Sequence, residues 1–236
     1  MKVSVIMPAY NTADYVQQAV RAVLSQRGVS FELLIVDDAS TDDTWERLRE
    51  FRSDPRVHLG RFRKRRGAAA ARNFLIYASR GKYISICDSD DQMLAGNLQR
   101  LSRALDRHPE IGVVCGRRVV RNQRGWRRGK RFPGGGPAGG WDLLRMQCSH
   151  PGSMIRRNLL RAVGGYDPRF FFGEDHDLFL RLVEKTRFLR LEGKPVYLYH
   201  GRRHSLSHQS AAASRCMVQA ILRKAIRRRY GIRVPW

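Results

Sequence analysis

Short apolar runs alternate with helical stripes along the first half of this chain, and that alternation restricts its fold more than any other feature. Val3-Ser4-Val5-Ile6-Met7 reads as a buried strand, after which Val16, Ala19, Val20, Val23 and Leu24 recur at helical spacing. Phe31-Glu32-Leu33-Leu34-Ile35-Val36 is a second strand, Val57 to Leu59 a short third, Ala68 to Ala78 a helix and Lys82 to Cys87 another strand. Leu94, Leu98, Leu101 and Leu105 share one stripe before a strand over Ile111 to Cys115. Parallel neighbours need crossover connections, so strands separated by helices imply βαβ units. The expected class is α/β, a mostly parallel central sheet with helices on both faces.

The acids are bunched in this otherwise very basic chain. Of 21 Asp and Glu, ten fall in three short clusters: Asp37, Asp38, Asp42 and Asp43; Asp88, Asp90 and Asp91; Glu174, Asp175 and Asp177. Like charges this close repel, so they need a cation, a hydrogen-bonding ligand or a helix N-terminus to offset the cost. Asp88-Ser89-Asp90-Asp91 directly follows an apolar strand. Asp-x-Asp in that position offers hard oxygens to Mg²⁺ or Mn²⁺ at the carboxyl edge of a sheet, where open α/β sheets bind ligands. Asp91 has the alternative of capping the next helix.

A first crevice is expected where Pro8-Ala9-Tyr10-Asn11 ends strand one and Asp37-Asp38 ends strand two; a carboxylate there can accept hydrogen bonds from a nucleobase or ribose. Ser40-Thr41-Asp42-Asp43 reads as a capping box, which accounts for Asp42 and Asp43 through the helix dipole. Arg72, beside Asn73 on the helix after Gly67, is placed to reach a nucleotide or its diphosphate, with a solvated surface Arg as the alternative. Gly173-Glu174-Asp175-His176-Asp177 opens a helix whose dipole favours an ionised carboxylate, as a general base requires; plain helix-start decoration is the competing reading. His200, His204 and His208 are candidates for a third metal ligand or are ordinary surface histidines.

Beyond residue 115 the pattern changes. Residues 121–140, rich in Arg and Gly, read as a mobile loop. A strand over Ser153 to Arg156, helices over Arg157 to Val163 and Glu174 to Glu184, and strands near 187–191 and 195–199 follow. Residues 211–230 form a helix in which Met217, Ile221 and Ile226 oppose Arg223, Lys224 and Arg227 to Arg229. That amphipathic tail suits the surface of an anionic membrane or packs back on the body of the protein.

Formal net charge is +24, and only seven of the 45 basic residues are Lys. Either an Arg-favouring base composition loads the surface, or the charge attracts membrane lipid, a lipid-linked phosphate acceptor or nucleic acid. No run approaches a membrane span, and Val3 to Met7 is too short for a signal-peptide core. Cys87, Cys115, Cys148 and Cys216 show no C-x-x-C spacing and read as reduced thiols, so a cytoplasmic location is expected, peripheral on the inner face of the membrane if the tail binds lipid.

Six segments, in order, resemble the family 2 glycosyltransferases: Val3 to Asn11, Val36 to Asp42, Ala71-Arg72-Asn73, Asp88-Ser89-Asp90-Asp91, Gly164-Gly165-Tyr166-Asp167 and Gly173 to Leu178. The resemblance covers about residues 1–200 and implies the GT-A, Rossmann-like nucleotide-diphospho-sugar transferase fold. It divides the chain into a catalytic domain over 1–210, with a donor half (1–100) and an acceptor half (101–210), and a basic tail over 211–236. It further implies that Pro8, Ala9, Tyr10, Asn11, Asp38, Arg72, Asp88 and Ser89 bind a nucleotide-sugar, most often a UDP-sugar. Asp90 with Asp88, and His200 as a possible third ligand, would hold Mn²⁺ or Mg²⁺, and Asp175 would be the base of an inverting transfer to a glycan or lipid-linked acceptor. The chain departs from the family in Arg63-Lys64-Arg65-Arg66 and the poly-Ala run before Arg72. A metal-dependent nucleotidyltransferase is the alternative enzyme, but Pro8-Ala9-Tyr10-Asn11 is no Gly-rich phosphate loop. A nucleic-acid-binding module is the alternative outside enzymes; its basic stretches are scattered and match no binding motif, so no nucleic-acid partner is expected.

Overall fold

The computed structural model describes residues 1–122, 125–128, 136–138, 150–170, 172–201, 219–221, 224–225 and 227–228. Strands β1 (Val3–Ala9), β2 (Phe31–Asp37), β3 (Val57–Arg61) and β4 (Tyr83–Ile86) alternate with helices α1 (Ala13–Leu24), α2 (Thr44–Arg49) and α3 (Ala68–Ala78). Next come the two-residue strand β5 (Gln92–Met93), helix α4 (Asn97–Arg107), and strands β6 (Ile111–Cys115), β7 (Arg118–Asn122), β8 (Gly125–Arg128) and β9 (Gly136–Ala138). Strand β10 (Ser153–Arg156), helices α5 (Arg157–Ala162) and α6 (Glu174–Val183), and strands β11 (Arg187–Arg190) and β12 (Tyr197–His200) follow.

The main sheet has eight strands in the order β3-β2-β1-β4-β10-β6-β11-β9. Its first four strands are parallel, and β10 runs antiparallel between β4 and β6. Strand alternation sends Val3, Val5, Met7 and Ala9 to one face, where they pack with α1, with Leu48 of α2 and with Leu98, Leu101 and Leu105 of α4. Ile6, Leu34, Val36 and Ile84 face the other way, onto Leu75 and Ile76 of α3, Leu160 of α5 and Leu178 and Leu182 of α6. Period-2 strands packed between period-3.6 helices produce the three layers that the apolar pattern requires.

A second sheet, β5-β12-β7-β8, closes over the carboxyl edge. Pairing of Tyr197 with Met93 and Leu198 with Gln92 brings the end of β12 back beside the acidic loop after β4. The segment 121–140, expected to be a loop, holds β8 and β9 within its described residues. Both are edge strands that need only backbone pairing, so Arg, Gly and Pro are tolerated there and the apolar signal is lost.

The tail also departs from one of its two expected roles. Ile221 is fully buried, Lys224 pairs with Asp167 and Asp177, and Arg228 forks onto Glu184 at 2.8 Å. This face of the tail lies on the protein and not on lipid; Met217, Arg223, Ile226 and Arg229 are outside the described residues. Among the described residues no helix is long and apolar enough to cross a membrane. Cys87 and Cys115 are buried free thiols, and burial pushes the Cys87 thiol well up; Cys148 and Cys216 fall outside the described residues.

At the opposite, amino edge of the sheet, a Cβ on Gly81 would stand 2.5 Å from the Ser4 backbone nitrogen. The Gly81 amide donates to Ser4 Oγ, which donates in turn to the buried Glu32 carboxylate at 2.6 Å. Gly81→Ala must therefore push β1 away from β4, and chemical denaturation should show a loss of about 1–3 kcal/mol. An unchanged midpoint would mean the edge has room that the geometry denies.

Candidate active site

The carboxyl ends of β1 and β2 are joined through side chains. The Asn11 amide donates to Ser40 Oγ at 3.0 Å, and Thr41 N–H donates to Asn11 Oδ1 at 2.9 Å. Asn11 and Ala39 both sit at positive φ, 48° and 59°. Asn tolerates the left-handed region; Ala does so at a cost, and backbone strain of this kind gathers at ligand-facing turns.

The two aspartates after β2 have different roles. Asp37 is fully buried, accepts hydrogen bonds from the Ser40 amide and hydroxyl, and pairs with Arg61 Nε at 2.9 Å. Burial raises its pKa, and its partners oppose that rise. Asp37 therefore builds the turn and does not face the crevice as expected. Asp38 accepts the Arg66 and Gly67 amides at 2.6 and 2.8 Å, which ties the start of α3 to this loop. The guanidinium of Arg65 lies 4.1 Å from the centroid of the Tyr10 ring.

The capping box does not form. Ser40 serves Asp37 and Asn11, and α2 starts at Thr44 with no side-chain cap. Asp42 instead accepts the amides of Thr44 and of Ala13, the first residue of α1. A carboxylate placed for one helix start serves two, because the crossover sets the two N-termini side by side.

Arg72 is almost fully buried and joins two acidic clusters. Nη2 donates to Asp88 Oδ1 at 2.8 Å, Nη1 donates to Glu174 Oε1 at 2.7 Å, and the guanidinium lies over the Tyr166 ring at 5.5 Å. Its charge is thus committed to two carboxylates and is not held out toward solvent. Beside it Asn73 receives the Tyr166 amide at 2.7 Å and donates to the Tyr166 carbonyl at 2.8 Å. Gly165, at φ +67, leaves room for that exchange, since a Cβ there would come within 2.4 Å of Asn73 Oδ1. The Arg72-Asn73 and Gly164-Gly165-Tyr166 segments, distant in sequence, form one contact.

Around the loop after β4, the Asp88 amide donates to Tyr197 Oη at 3.0 Å, and Thr12 Oγ1 donates to the buried Ser89 at 3.0 Å. Asp91 caps no helix; α4 begins at Asn97, and Asp91 accepts the His200 amide at 2.8 Å. Burial, with Asp90 and Asp88 nearby, pushes the Asp91 carboxyl well above the usual range. His200 Nδ1 donates to the Asp90 carbonyl at 2.7 Å, because that oxygen can only accept. His204 and His208 lie outside the described residues.

At the start of α6, burial raises the pKa of both Glu174 and Asp175, and the Arg72 charge opposes the rise. Desolvation therefore outweighs the Arg72 charge and the backbone N–H hydrogen bonds there. A carboxylate raised in this way moves toward the neutral range in which a general base works best. Asp175 Oδ1 also accepts the His176 amide at 2.8 Å. Asp177 points inward to Arg181 at 2.7 Å. Sequence reasoning assigned no role to Tyr197, Tyr166 or His150, whose Nε2 lies 2.6 Å from Tyr166 Oη. All three are buried; Tyr197 lies in an apolar run that reads as a core strand, and Tyr166 and His150 carry no signal at short range because they meet only in the fold.

The model of glycosyl transferase family 2 matches residues 4–164. This chain belongs to that family. The putative teichuronic acid biosynthesis glycosyltransferase TuaG of Bacillus subtilis is 39% identical over 99 residues, 42% of this chain and 39% of that protein. The Escherichia coli UDP-Glc:alpha-D-GlcNAc-diphosphoundecaprenol beta-1,3-glucosyltransferase WfaP is 40% identical over 89 residues, 38% of this chain and 35% of its own length. Each match covers well under two thirds of the relative. The crystal structure of S. aureus TarS 1-349 in complex with UDP-GlcNAc superposes with TM-score 0.83 at 20% identity, over 96% of this chain and 67% of that one. The fold is GT-A. Asp175 and His200 lie beyond the family-matched segment.

The fold family implies a divalent cation at the acidic loop. Among the described residues no three His, Cys, Asp or Glu side chains converge as a complete cage. A hard cation that also takes phosphate oxygens and water needs only one or two protein carboxylates. The donors fit that smaller demand. Asp88 keeps its second oxygen, Asp90 is only partly buried, and Asp91 Oδ2 is buried without a partner among the described residues. His200, held by Nδ1 on a carbonyl, is left with Nε2 as an acceptor, the tautomer that metal-binding histidines use.

Arg72→Met would leave Asp88 and Glu174 facing each other's field without the cation between them. Because both carboxylates retain some solvent, unfolding experiments near neutral pH should show a loss of about 1–3 kcal/mol, below the range for a fully buried pair. A variant as stable as the parent would show that Arg72 does not hold these elements together.

Proposed function

We propose that this chain is an inverting glycosyltransferase that moves a sugar from a nucleotide-diphospho-sugar, a UDP-sugar in the first instance, to a hydroxyl of a glycan or lipid-linked acceptor in cell-surface polysaccharide synthesis. One observation carries the reading: buried Arg72 joins the Asp88 loop to the first turn of α6, so that a carboxylate of raised pKa, Asp175, stands beside the edge where β1, β2 and β4 end. The donor and acceptor classes are supported by the UDP-GlcNAc complex of TarS and by the diphosphoundecaprenol-linked acceptor in the name of WfaP.

In this account residues 1–100 form the donor half, 101–210 the acceptor half and 211–236 the tail. Pro8, Ala9, Tyr10, Asn11 and Asp38 shape the nucleoside pocket. Arg72 and Ser89 hold the diphosphate loop in position, Arg72 through Asp88 and Ser89 through Thr12. Asp90 with Asp88, and His200 beside them, would hold Mn²⁺ or Mg²⁺, which when bound neutralises charge on the departing diphosphate. Asp175 takes the proton from the acceptor hydroxyl as that oxygen attacks the anomeric carbon from the face opposite the leaving group. One base, with no nucleophile assigned among the described residues, suits a single displacement with inversion.

Two measurements check the roles. Asp175→Asn keeps the shape and removes the basicity, so transfer should fall by about 10²–10⁴-fold while donor affinity holds. If Asp175→Asn transfers at a near-normal rate and Glu174→Gln is dead, the base is one residue earlier. For the cation, Asp90→Asn should weaken nucleotide-sugar binding in Mn²⁺ and make no difference in excess chelator. Full activity of the parent in chelator would remove the metal from the scheme.

A further inference from the structure

Helix α3 has apolar side chains on two faces. Its inner face packs Ala69, Ala71, Leu75 and Ile76 against the sheet. Its outer face shows Phe74 at 47% exposure and Tyr77 at 84%. Those two and Met1 are the large apolar side chains exposed among the described residues, so exposure of this kind is concentrated on one strip. An aromatic pair left in water on the outer side of a helix whose inner face is already packed marks a contact surface. Phe62, half-buried against the core, backs the strip, edge-on to Phe74 with ring centroids 5.3 Å apart.

The rim of the strip is cationic. No Asp or Glu stands between Pro55 and Cys87, or between His150 and Tyr166. The Arg66 guanidinium lies over the Phe62 ring at 4.9 Å, and Arg161 donates to the Tyr77 carbonyl at 3.2 Å. Among the described residues Arg63, Lys64, Arg157 and Arg161 have no carboxylate partner, and Arg157 is held only on the Ser79 carbonyl. Aromatic rings ringed by unneutralised Arg and Lys, on a chain of net charge +24, match the chemistry of an anionic bilayer surface. A second copy of the chain would bring the same positive field to the contact and be repelled.

We propose that the outer face of α3, with Phe74 and Tyr77 at its centre, is a peripheral docking surface for anionic phospholipid bilayers. The aromatic rings enter the headgroup layer while the cations of the 63–66 loop and of α5 meet lipid phosphates. The buried face of the tail, Ile221 and Lys224, plays no part in this contact. The surface is argued from its own residues and does not depend on glycosyl transfer.

The test is co-sedimentation of the full chain with phosphatidylglycerol vesicles and with phosphatidylcholine vesicles. The chain should bind the anionic vesicles, and added salt should weaken that binding. F74S/Y77S should lower the partition by about tenfold or more, and F74W/Y77W should restore it, with tryptophan emission moving to shorter wavelength on vesicles. R227S, which removes an exposed cation from the tail, should leave the partition unchanged. Absence of vesicle binding, equal binding to both lipids, or full binding by F74S/Y77S would each overturn the proposal. So would sedimentation equilibrium showing a dimer that F74S/Y77S dissolves, because the strip would then belong to a second copy. Phe74 and Tyr77 lie outside the proposed catalytic groups, so unaltered nucleotide binding by F74S/Y77S would verify that a lost partition reflects lost docking and not lost folding.

Discussion

A single buried guanidinium organises the chemistry of this protein. Two acidic segments, the loop after β4 and the first turn of α6, meet at one edge of the sheet, and their mutual repulsion would drive them apart without a fixed positive charge. Arg72 supplies it, with Asp88 on one side, Glu174 on the other and the Tyr166 ring beneath. Arg serves better than Lys here, since a planar fork can hold two carboxylates in fixed directions at once. Its placement is fixed in turn by Asn73, which exchanges two hydrogen bonds with the Tyr166 backbone.

The same interaction links the two halves of the proposed site. The Asp88 loop belongs to the first βαβ units, and α6 follows β10 and α5 much later in the chain. Arg72 ion-pairs with both, at 2.8 Å to Asp88 and 2.7 Å to Glu174. Tyr197 adds a second link, accepting the Asp88 amide from the far end of the sequence. His200, at the end of the same strand, engages both Asp90 and Asp91. A proposed donor edge thus depends on residues that arrive last in the sequence, which fits a site completed by the second sheet.

Much of the fold was legible because apolar periodicity is a direct consequence of layer packing. The α3 bounds, the first four strands and the leucine stripe of α4 all follow from it. The segment 121–140 was not legible, since edge strands such as β8 and β9 need no apolar alternation. In the site, Arg72, expected to reach a diphosphate or solvent, is buried between Asp88 and Glu174, although the acidic clusters were legible as bunched charge. Their division of labour was not: Asp37 and Asp38 look alike in sequence, yet one is sealed under Arg61 and the other faces the α3 amides. Likewise Asp42 reads as a cap for its own helix and in fact also holds the start of α1. Such roles depend on which N–H groups the tertiary fold brings within reach. The tail pattern set Ile221 opposite Lys224, yet both turn toward the protein, Ile221 buried and Lys224 paired with Asp167 and Asp177, because only packing decides what each side of such a helix meets.

The central claim is a single displacement assisted by one base, and the stereochemistry of the released sugar tests it most directly. Proton NMR of a slow nucleotide-sugar hydrolysis, recorded before mutarotation, reads the anomeric configuration of the first product. The account predicts a sugar inverted relative to the donor, formed by water attacking from the Asp175 side. A product that retains the donor configuration would contradict it, because retention requires a second displacement and a nucleophile that this site was not assigned.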